Sequence, residues 1–311
     1  MNFESSTITV HAPATVANVV CGFDCLGFAL EEPFDEIRIS FSNEPGIRIR
    51  HNDEFGLPED PEKNVVGTVL KSMIRATGFE RGLEVEITKN IKPGSGVGSS
   101  AACAAGAAVA ANRLLGNPFT KEQLVEFARD GELTACGSRI ADNVSACIFG
   151  GITLVRATEP IADVVALEFP ELFATVIHPQ IEIRTEDARA VLPREVPLPT
   201  AIRQWGNVGA LVAGLARGDY DLIGRALEDH VAEPYRKTLI PGFDELKRAS
   251  MDAGALGGGI SGSGPSVFML SGSIEDANRI ADAMRTVYSA TSIDFNIYVS
   301  GVNRRGVTFV E

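Results

Sequence analysis

The chain has 311 residues, of which 45% are hydrophobic and 22% are charged. This length and composition predict a globular protein with either one large domain or two domains of ordinary size. Its net charge of −13 argues against nucleic acid or an anionic membrane as the main partner, because an acidic surface repels both.

The start of the chain, MNFESSTITV, lacks the basic and apolar regions of a signal peptide, and no apolar run reaches the ~18 residues of a membrane span. The number of cysteines is odd, at 5, which predicts reduced thiols and a cytoplasmic location. Cys21 and Cys25 are spaced like a metal-binding pair. No second pair has such spacing, so we expect buried thiols and no zinc site.

Alternating polar and apolar residues in the first half predict half-buried strands. These strands are predicted over residues 6–12, 36–41, 46–51, 82–90 and 149–157. Helical spacing predicts one helix over 64–78, ending at Gly78, and another over 120–133. Thr120 and Gln123 form a capping box at the start of the second helix. The elements do not follow the βαβα alternation of a doubly wound sheet.

A proline-containing stretch at 158–172 predicts a boundary that divides the chain into domains at residues 1–165 and 166–311. One or two strands are predicted over 173–185, followed by a short helix over 185–193. Further helices and a last strand are predicted over 203–216, 219–230, 242–253, 274–289 and 294–301. This pattern is typical of an α+β domain.

The stretch IKPGSGVGSSAACAA at residues 91–105 connects a strand predicted over 82–88 with a helix predicted over 100–115. Unpaired N–H groups at the start of a helix favour an anion, and glycines let the anion approach the backbone. Ser99 and Ser100 are expected either to cap the helix or to offer hydroxyls to a phosphate or a metal ion. The alanine run predicts a strong helix that packs closely on the sheet.

Two known phosphate-binding loops do not fit this stretch. The P-loop needs a glycine where Ser99 stands and then a lysine, and the dinucleotide fingerprint fails at the same position. From the loop alone, phosphate binding is the favoured interpretation, and a glycine-rich turn without a ligand is the alternative.

Three motifs, in this order, resemble those of the GHMP kinases. They are PATVANVVCGFDCLGFAL (13–30), PGSGVGSSAA (93–102) and SGSGPSVF (261–268). Within that family, the chain is most similar to the branch that phosphorylates L-homoserine. The segments that carry this closer resemblance are DPEKNVV (60–66), GELTACG (131–137), ADNVSACIFGG (141–151), TEDARAVLP (185–193) and EPYRKTLIPG (233–242).

The resemblance implies an α+β fold of two domains, the first like domain 2 of ribosomal protein S5 and the second ferredoxin-like, with the active site between them. It implies transfer of a phosphoryl group from ATP to the hydroxyl of L-homoserine, with Mg²⁺, giving O-phospho-L-homoserine for threonine biosynthesis. A homodimer and a cytoplasmic location also follow from the resemblance.

The resemblance also implies which residues bind the substrate. Arg189 and Arg236 correspond to a carboxylate clamp, a role that suits the planar guanidinium group. Asp24 would bind the ammonium group and Asn18 either the ammonium or the hydroxyl end. Asn143 would lie beside the reacting hydroxyl.

Other positions would hold the nucleotide and its metal ion. Glu132, with the Ser100 hydroxyl beside it, is implied as the Mg²⁺ ligand, since Mg²⁺ prefers oxygen ligands. The backbone at Gly262 would close over the substrate. The nucleotide-binding positions implied are Asn64, Lys92, Pro93, Gly94, Ser95, Gly96, Val97, Gly98, Ser99, Ser100, Ala101 and Ala102.

Each candidate also has a purely structural interpretation. The arginines could form ion pairs with acids three residues away on the same helix, Arg189 with Glu186 and Arg236 with Glu233. Asn18 and Asp24 could be ordinary turn residues, and Glu132 could lie at an exposed helix end. The third motif could be a plain turn.

The proton of the acceptor hydroxyl has no obvious base. The amide of Asn143 is not basic near neutral pH, and neighbouring Asp142 is expected to point away from it. We therefore predict that the proton passes to the γ-phosphate as the transition state breaks down. Ile140 stands where this branch often has histidine, so one polar contact to the substrate is expected to be missing or supplied from elsewhere.

Two other functions are compatible with the motifs. A GHMP-type kinase for another small alcohol would be expected to lack the paired arginines. A nucleotide-binding regulatory protein without catalysis would be expected to have damaged Mg²⁺ ligands, whereas Glu132 and Ser100 are both present.

Overall fold

The computed structural model describes residues 7–310, and Ser6, the first residue of the strand predicted over 6–12, lies outside them. The first sheet consists of β1 (Thr7–Ala17), β2 (Leu26–Ser42), β3 (Ile47–His51), β4 (Gly82–Thr88), β5 (Ile152–Ala157), β6 (Asp163–Leu167) and β11 (Thr308–Phe309). Its main path is β11-β1-β2-β4-β3, and β5 pairs with both β2 and β6. The pair β3–β4 is parallel, and the other pairs are antiparallel.

Four helices accompany this sheet: α1 (Val65–Thr77), α2 (Ser99–Leu114), α3 (Lys121–Cys136) and α4 (Asp142–Phe149). The alanine-rich α2 is almost entirely buried and packs against β1, α1 and α3. A methyl group added at Gly106 would lie 2.4 Å from Ile37 and 2.9 Å from Ala12. The close packing predicted from the small residues of this helix is therefore confirmed.

The second sheet consists of β7 (Phe173–Pro179), β8 (Gly257–Ile260), β9 (Val267–Ser271) and β10 (Phe295–Gly301). Its antiparallel order is β10-β7-β9-β8, the ferredoxin-like arrangement. The helices of this half are α5 (Thr185–Ala190), α6 (Leu198–Arg217), α7 (Tyr220–Ala226), α8 (Glu233–Arg236), α9 (Phe243–Asp252) and α10 (Ile274–Ser289).

Local signals predicted several element ends correctly. Gly78 ends α1 in the left-handed conformation, with φ of 66°. The capping box of Thr120 and Gln123 at the start of α3 has both of its hydrogen bonds. Strand β2, by contrast, is much longer than the predicted 36–41.

Several short elements were not predicted from the sequence, among them α4, α8, β6, β11 and the hairpin β8–β9. The division predicted at residue 165 falls inside β6, which pairs with β5 of the first sheet. Strand β11, near the end of the chain, also joins the first sheet, by pairing with β1. The first sheet therefore includes residues from both halves of the sequence.

The two sheets share one large apolar core. Phe28 on β2 and Phe268 on β9 are fully buried and meet edge to face, with ring centroids 5.5 Å apart. A smaller core lies under α9 and α10 around Met284 and Tyr288. Among residues 7–310, no helix is both long and apolar enough to cross a membrane.

Candidate active site

A cavity of about 800 Å³ lies where the three sequence motifs meet. It is lined by residues from both halves of the chain, which are brought together by loops at the ends of the two sheets. The predicted site residues that line it are Asn18, Asp24, Asn64, Pro93, Gly94, Gly96, Gly98, Ser99, Ser100, Glu132, Asn143, Arg189, Arg236 and Gly262.

The glycine-rich loop forms one wall and runs directly into α2. Gly94, Gly96 and Gly98 all have positive φ angles, of 73°, 82° and 70°, which glycine adopts with little cost. Gly98 is the N-cap of α2 and supplies no side chain. The expectation that a serine caps this helix is therefore wrong, because the Ser99 hydroxyl instead donates to the Ile91 carbonyl oxygen at 2.8 Å.

The third motif packs directly on this loop. The Ser261 hydroxyl donates to the Gly96 carbonyl oxygen at 2.7 Å, and the Ser266 hydroxyl donates to the Ser95 carbonyl oxygen at 2.6 Å. A methyl group added at Gly96 would lie 2.6 Å from the Gly264 carbonyl oxygen. The third motif is thus a partner of the loop and not an isolated turn.

Two arginines, Arg189 and Arg236, line the same cavity. One guanidinium nitrogen of Arg189 lies 3.1 Å from each carboxylate oxygen of Asp24. Arg236 stacks over the Phe23 ring at 4.9 Å, and Arg189 lies 6.0 Å from the same ring. The structure therefore brings two cations and one anion together at a single place.

Arg236 is held rigidly by backbone oxygens. It donates to the Ala188 carbonyl at 2.9 Å and to the Gly262 carbonyl at 3.0 Å, which uses two of the guanidinium's five donors. Burial lowers the pKa of Arg236, Asp24 raises it, and the nearby Arg189 lowers it. A buried cation beside a second cation is a suitable environment for an anionic group.

The helix ion pairs considered for these arginines are absent from the described residues. Glu186 lies 2.8 Å from Arg184, and Glu233 lies 2.5 Å from Lys247. Because both acids have other partners, the two arginines remain directed toward the cavity.

Asn18 and Asn143 differ in how many of their side-chain donors and acceptors already have hydrogen-bond partners. The Asn18 side chain donates to the Gly262 carbonyl at 2.7 Å and accepts from the Asp24 N–H at 2.9 Å, so it joins the first and third motifs. The Asn143 oxygen accepts from the Thr15 hydroxyl at 2.7 Å. This bond fixes the amide so that its NH₂ group remains available for another acceptor.

Known protein families match most of this architecture. The family model described as GHMP kinases N terminal domain matches residues 64–151, and GHMP kinases C terminal matches residues 211–290. A homoserine kinase of Chloroherpeton thalassium is 47% identical over 96% of this chain and 98% of its own length. A homoserine kinase of Chlorobaculum tepidum is 46% identical over 98% of each chain. The chain belongs to the homoserine kinases, a branch of the GHMP kinase family.

Solved structures agree with this membership. The crystal structure of homoserine kinase from Cytophaga hutchinsonii matches with a TM-score of 0.95 and 49% identity, covering 99% of this chain and 98% of that one. A mevalonate kinase from L. major matches with a TM-score of 0.72 at 16% identity, covering 94% of each chain, which shows a shared fold only. The predicted two-domain GHMP kinase fold is confirmed.

Glu132 has the properties expected of a metal ligand in a homoserine kinase. It is buried rather than exposed, and its Oε1 atom has no hydrogen-bond partner among the described residues. Burial raises the pKa of Glu132 to about 7; the Ser100 hydroxyl lowers it, Asp142 raises it and Lys89 lowers it. An unpartnered carboxylate oxygen beside a hydroxyl fits Mg²⁺, which takes oxygen ligands and keeps several waters.

Asp142 lies within the cavity wall and is engaged with the backbone there. It does not simply point away from Asn143, because it lines the same cavity and its carboxylate accepts from the Asn143 N–H at 2.8 Å. The pKa of Asp142 is raised to about 7, chiefly by burial and also by the charge of Asp24. Hydrogen bonds from the Asn143 and Asn18 backbones act in the opposite direction and lower it. The carboxylate therefore holds two asparagine backbones.

Asn64, which the sequence predicted to contact the nucleotide, lines the cavity, and its side chain is already engaged. Its oxygen accepts from the Val66 N–H at 2.8 Å and so caps α1, and its nitrogen donates to the Pro58 carbonyl at 2.6 Å. The same nitrogen lies 3.1 Å from His51, which also lines the cavity. The NH₂ group of Asn64 is therefore used within the protein, and its side-chain oxygen keeps one lone pair for a further donor.

Five predicted nucleotide-binding residues do not line the cavity: Lys92, Ser95, Val97, Ala101 and Ala102. The Lys92 ammonium donates to the Gln180 side chain at 2.6 Å, and the other four are buried. The motif is a continuous stretch of sequence, so it also includes residues whose side chains point into the protein. These residues lie at alternate positions of the turn and on the inner face of the helix.

Several cavity residues were not predicted, including His51, Lys89 and Asp142. Asp142 stands within a quoted motif, so the motif could have indicated it, and so does Thr15, which does not line the cavity but donates to Asn143. Lys89 ends a strand and His51 precedes a polar loop, and neither has a distinctive local pattern. Ile140 also lines the cavity, so an apolar surface stands where the family often has an imidazole.

Proposed function

We propose that this chain transfers the γ-phosphoryl group of ATP to the hydroxyl of L-homoserine, giving ADP and O-phospho-L-homoserine, a step toward threonine. The observation that carries the proposal is the shared cavity. It combines a glycine-rich loop before a helix with two arginines and an aspartate. Membership in the homoserine kinases supports the same reaction.

At the amino-acid end, the substrate's two charges replace an internal ion pair. Its carboxylate binds Arg189 and Arg236, and its ammonium group binds Asp24, which the structure pairs with Arg189. The one internal ion pair is thereby exchanged for charge-assisted contacts of both arginines and the aspartate with the substrate. A ligand with only one of the two charges leaves either the aspartate or an arginine without its partner, so the pocket favours a zwitterion.

At the nucleotide end, the N–H groups of the first turn of α2 bind the phosphates, as a helix start does for anions. Glu132 and the Ser100 hydroxyl would hold Mg²⁺, which would supply neutralisation of the charge on the phosphates. The Asn143 NH₂ group orients the acceptor hydroxyl, because its oxygen is fixed by Thr15.

No side chain in the cavity takes the hydroxyl proton in this proposal. The Asp142 carboxylate is occupied by backbone N–H groups, and Asn143 is an amide. The proton passes to the transferred phosphoryl group. Alignment and charge neutralisation then account for the rate enhancement, as they do in phosphoryl transfer generally.

The test is an ADP-release assay with ATP and Mg²⁺ over homoserine, mevalonate, galactose and shikimate. We expect turnover with homoserine alone. Activity with another of these alcohols and none with homoserine would assign the chain to a different acceptor. We also propose a homodimer and a cytoplasmic location on the family resemblance, and sedimentation equilibrium of the purified chain tests the dimer.

A further inference from the structure

Asp35 on β2 and Lys89 at the end of β4 form a buried ion pair that lies outside all three motifs. The Lys89 Nζ atom is 2.5 Å from Asp35 Oδ2, and the two side chains are 1% and 0% exposed. A buried ion pair is by itself a weak source of stability, because removing both charges from water costs about as much as their attraction returns. Its additional hydrogen bonds therefore indicate what it does.

The aspartate binds the beginning of the glycine-rich loop. Its Oδ1 atom accepts from the Asn90 N–H at 2.8 Å and from the Ile91 N–H at 2.9 Å. Both residues directly precede the segment 92–98, which contains the three glycines with positive φ.

The lysine binds the end of the same loop. Its ammonium group donates to the Ser99 carbonyl at 3.1 Å, in the first turn of α2, and to the Cys103 sulfur at 3.2 Å. The Ser99 hydroxyl closes the ring by donating to the Ile91 carbonyl. Both ends of the loop are thus attached to one buried pair of charges.

A loop with three left-handed glycines has many conformations, and ordering it upon binding would weaken nucleotide affinity. Fixing both ends in advance removes much of that cost. Asp35 does not line the cavity and is 0% exposed, so it cannot touch the nucleotide. Any effect it has on the nucleotide must therefore act through the loop.

We propose that Asp35 is a positioning residue for the nucleotide's phosphates, acting through Lys89 and the two ends of the loop at residues 90–99. The inference rests on the proposed function, since it assumes that this loop binds phosphate. It concerns the nucleotide only and predicts no effect on the amino-acid end.

The first test is Asp35→Asn, with ADP binding measured by titration calorimetry and both Michaelis constants measured by ADP release. We expect ADP to bind about tenfold more weakly and the KM for ATP to rise about tenfold, with the KM for homoserine within twofold of the original value. A general loss of structure would raise both constants together. ADP binding and KM for ATP within twofold of the original chain, in a folded variant, would overturn the proposal.

A second variant addresses the instability that an unpaired buried lysine causes. The double change Asp35→Asn with Lys89→Met removes both charges at similar volume. We expect a folded protein that still binds ADP at least fivefold more weakly, because the bond to the Ser99 carbonyl is lost. Since Lys89 also lines the cavity, the single variant Asp35→Asn is the one that separates positioning from direct contact. Failure of both variants to fold would also overturn the proposal, since the pair would then be needed for stability alone.

The matched control is Thr175→Val. Thr175 on β7 is fully buried, and its hydroxyl donates to the Ala277 carbonyl at 2.8 Å, far from the loop in sequence and in a different sheet. We expect a lower melting temperature with unchanged ADP binding; weaker ADP binding in this control would attribute the Asp35 effect to lost stability and overturn the proposal. Because calorimetry uses ADP alone, its result stands even if homoserine is not the acceptor.

Discussion

At the scale of single residues, charge is the main determinant of the site. Arg189 and Asp24 are both partly exposed, at 40% and 42%, so their mutual ion pair contributes little stability. Such a pair is suited to being exchanged for a ligand's charges. Arg236 is buried and anchored by backbone carbonyls, and in the proposed function it is the fixed part of the carboxylate clamp.

The first prediction concerns Arg189→Ala. We expect the KM for homoserine to rise about 10- to 150-fold, because a charged hydrogen bond contributes about 1.5–3 kcal/mol, while the KM for ATP stays within twofold. Arg225→Ala is the control, since Arg225 pairs only on the surface with Asp221. Steady-state kinetics with each substrate varied check this; an equal rise in both constants would contradict the clamp.

The second prediction concerns Asp142→Asn. Asparagine keeps an oxygen for the Asn143 and Asn18 N–H groups but cannot act as a base. We expect kcat within tenfold of the original value, measured by ADP release at saturating substrates. A fall to background would mean that Asp142 removes the hydroxyl proton.

The third prediction concerns the pH dependence of stability at the same residue. Burial raises the pKa of Asp142 from an ordinary value near 3.8 to about 7, so between these values the folded state binds more protons than the unfolded state. The free energy of unfolding of the original chain therefore falls as pH rises through this window, and Asp142→Asn removes that contribution.

We accordingly expect the variant to gain about 2–4 kcal/mol relative to the original chain between pH 4 and pH 8. Urea unfolding in EDTA without nucleotide measures this difference. A difference between the two proteins that stays constant with pH would show that the carboxyl group is not perturbed in the folded state.

At the scale of elements, the loop and the start of α2 form one unit with the third motif. Gly96 needs glycine for two reasons: its φ of 82° and its closeness to the backbone oxygens of Gly264 and Ser261, at 2.6 and 2.9 Å from an added methyl group. Gly116 has φ of 87° but open space around it. A substitution at Gly116 therefore tests the effect of positive φ without the effect of a close contact.

The fourth prediction compares Gly96→Ala with Gly116→Ala. We expect Gly116→Ala to lose about 1–2 kcal/mol of stability, the cost of the left-handed conformation, with normal kinetics. Gly96→Ala should lose more stability and reduce kcat/KM for ATP at least 30-fold, because the third motif must move away from the loop. Equal melting temperatures and kinetics for the two variants would show that the contact with the third motif is unimportant.

At the scale of the whole molecule, the two sheets are not independent. The large core contains apolar residues from both sheets, including Phe28 and Phe268, and β11 returns from the end of the chain to the first sheet. The cavity is built from loops of both sheets. Its geometry therefore depends on the sheets remaining packed together.

The fifth prediction is a single cooperative unfolding transition. Trp205, the only tryptophan, lies on α6 in the second half, whereas far-ultraviolet circular dichroism reports on all helices and strands. We expect urea curves from the two probes to coincide, because the larger core contains residues from both sheets. Two separated transitions would show that the shared core is too weak to couple the sheets.

The local features and the order of the motifs could be predicted from the amino-acid sequence alone. The glycines of the loop, the alanine-rich α2, the capping box at Thr120 and the stop at Gly78 depend on neighbouring residues only. Local backbone and side-chain preferences therefore suffice to predict them. Membership in the GHMP kinases likewise followed from three short motifs in chain order.

The partners of the charged groups and the short pairing strands depend instead on tertiary packing. Arg189 pairs with Asp24, 165 positions away, instead of with Glu186 on its own helix, and Lys89 pairs with Asp35 across 54 positions. Strands β6 and β11 exist only because a neighbouring strand offers its edge. Such partners depend on which distant segments pack together, and no local pattern of residues contains that information.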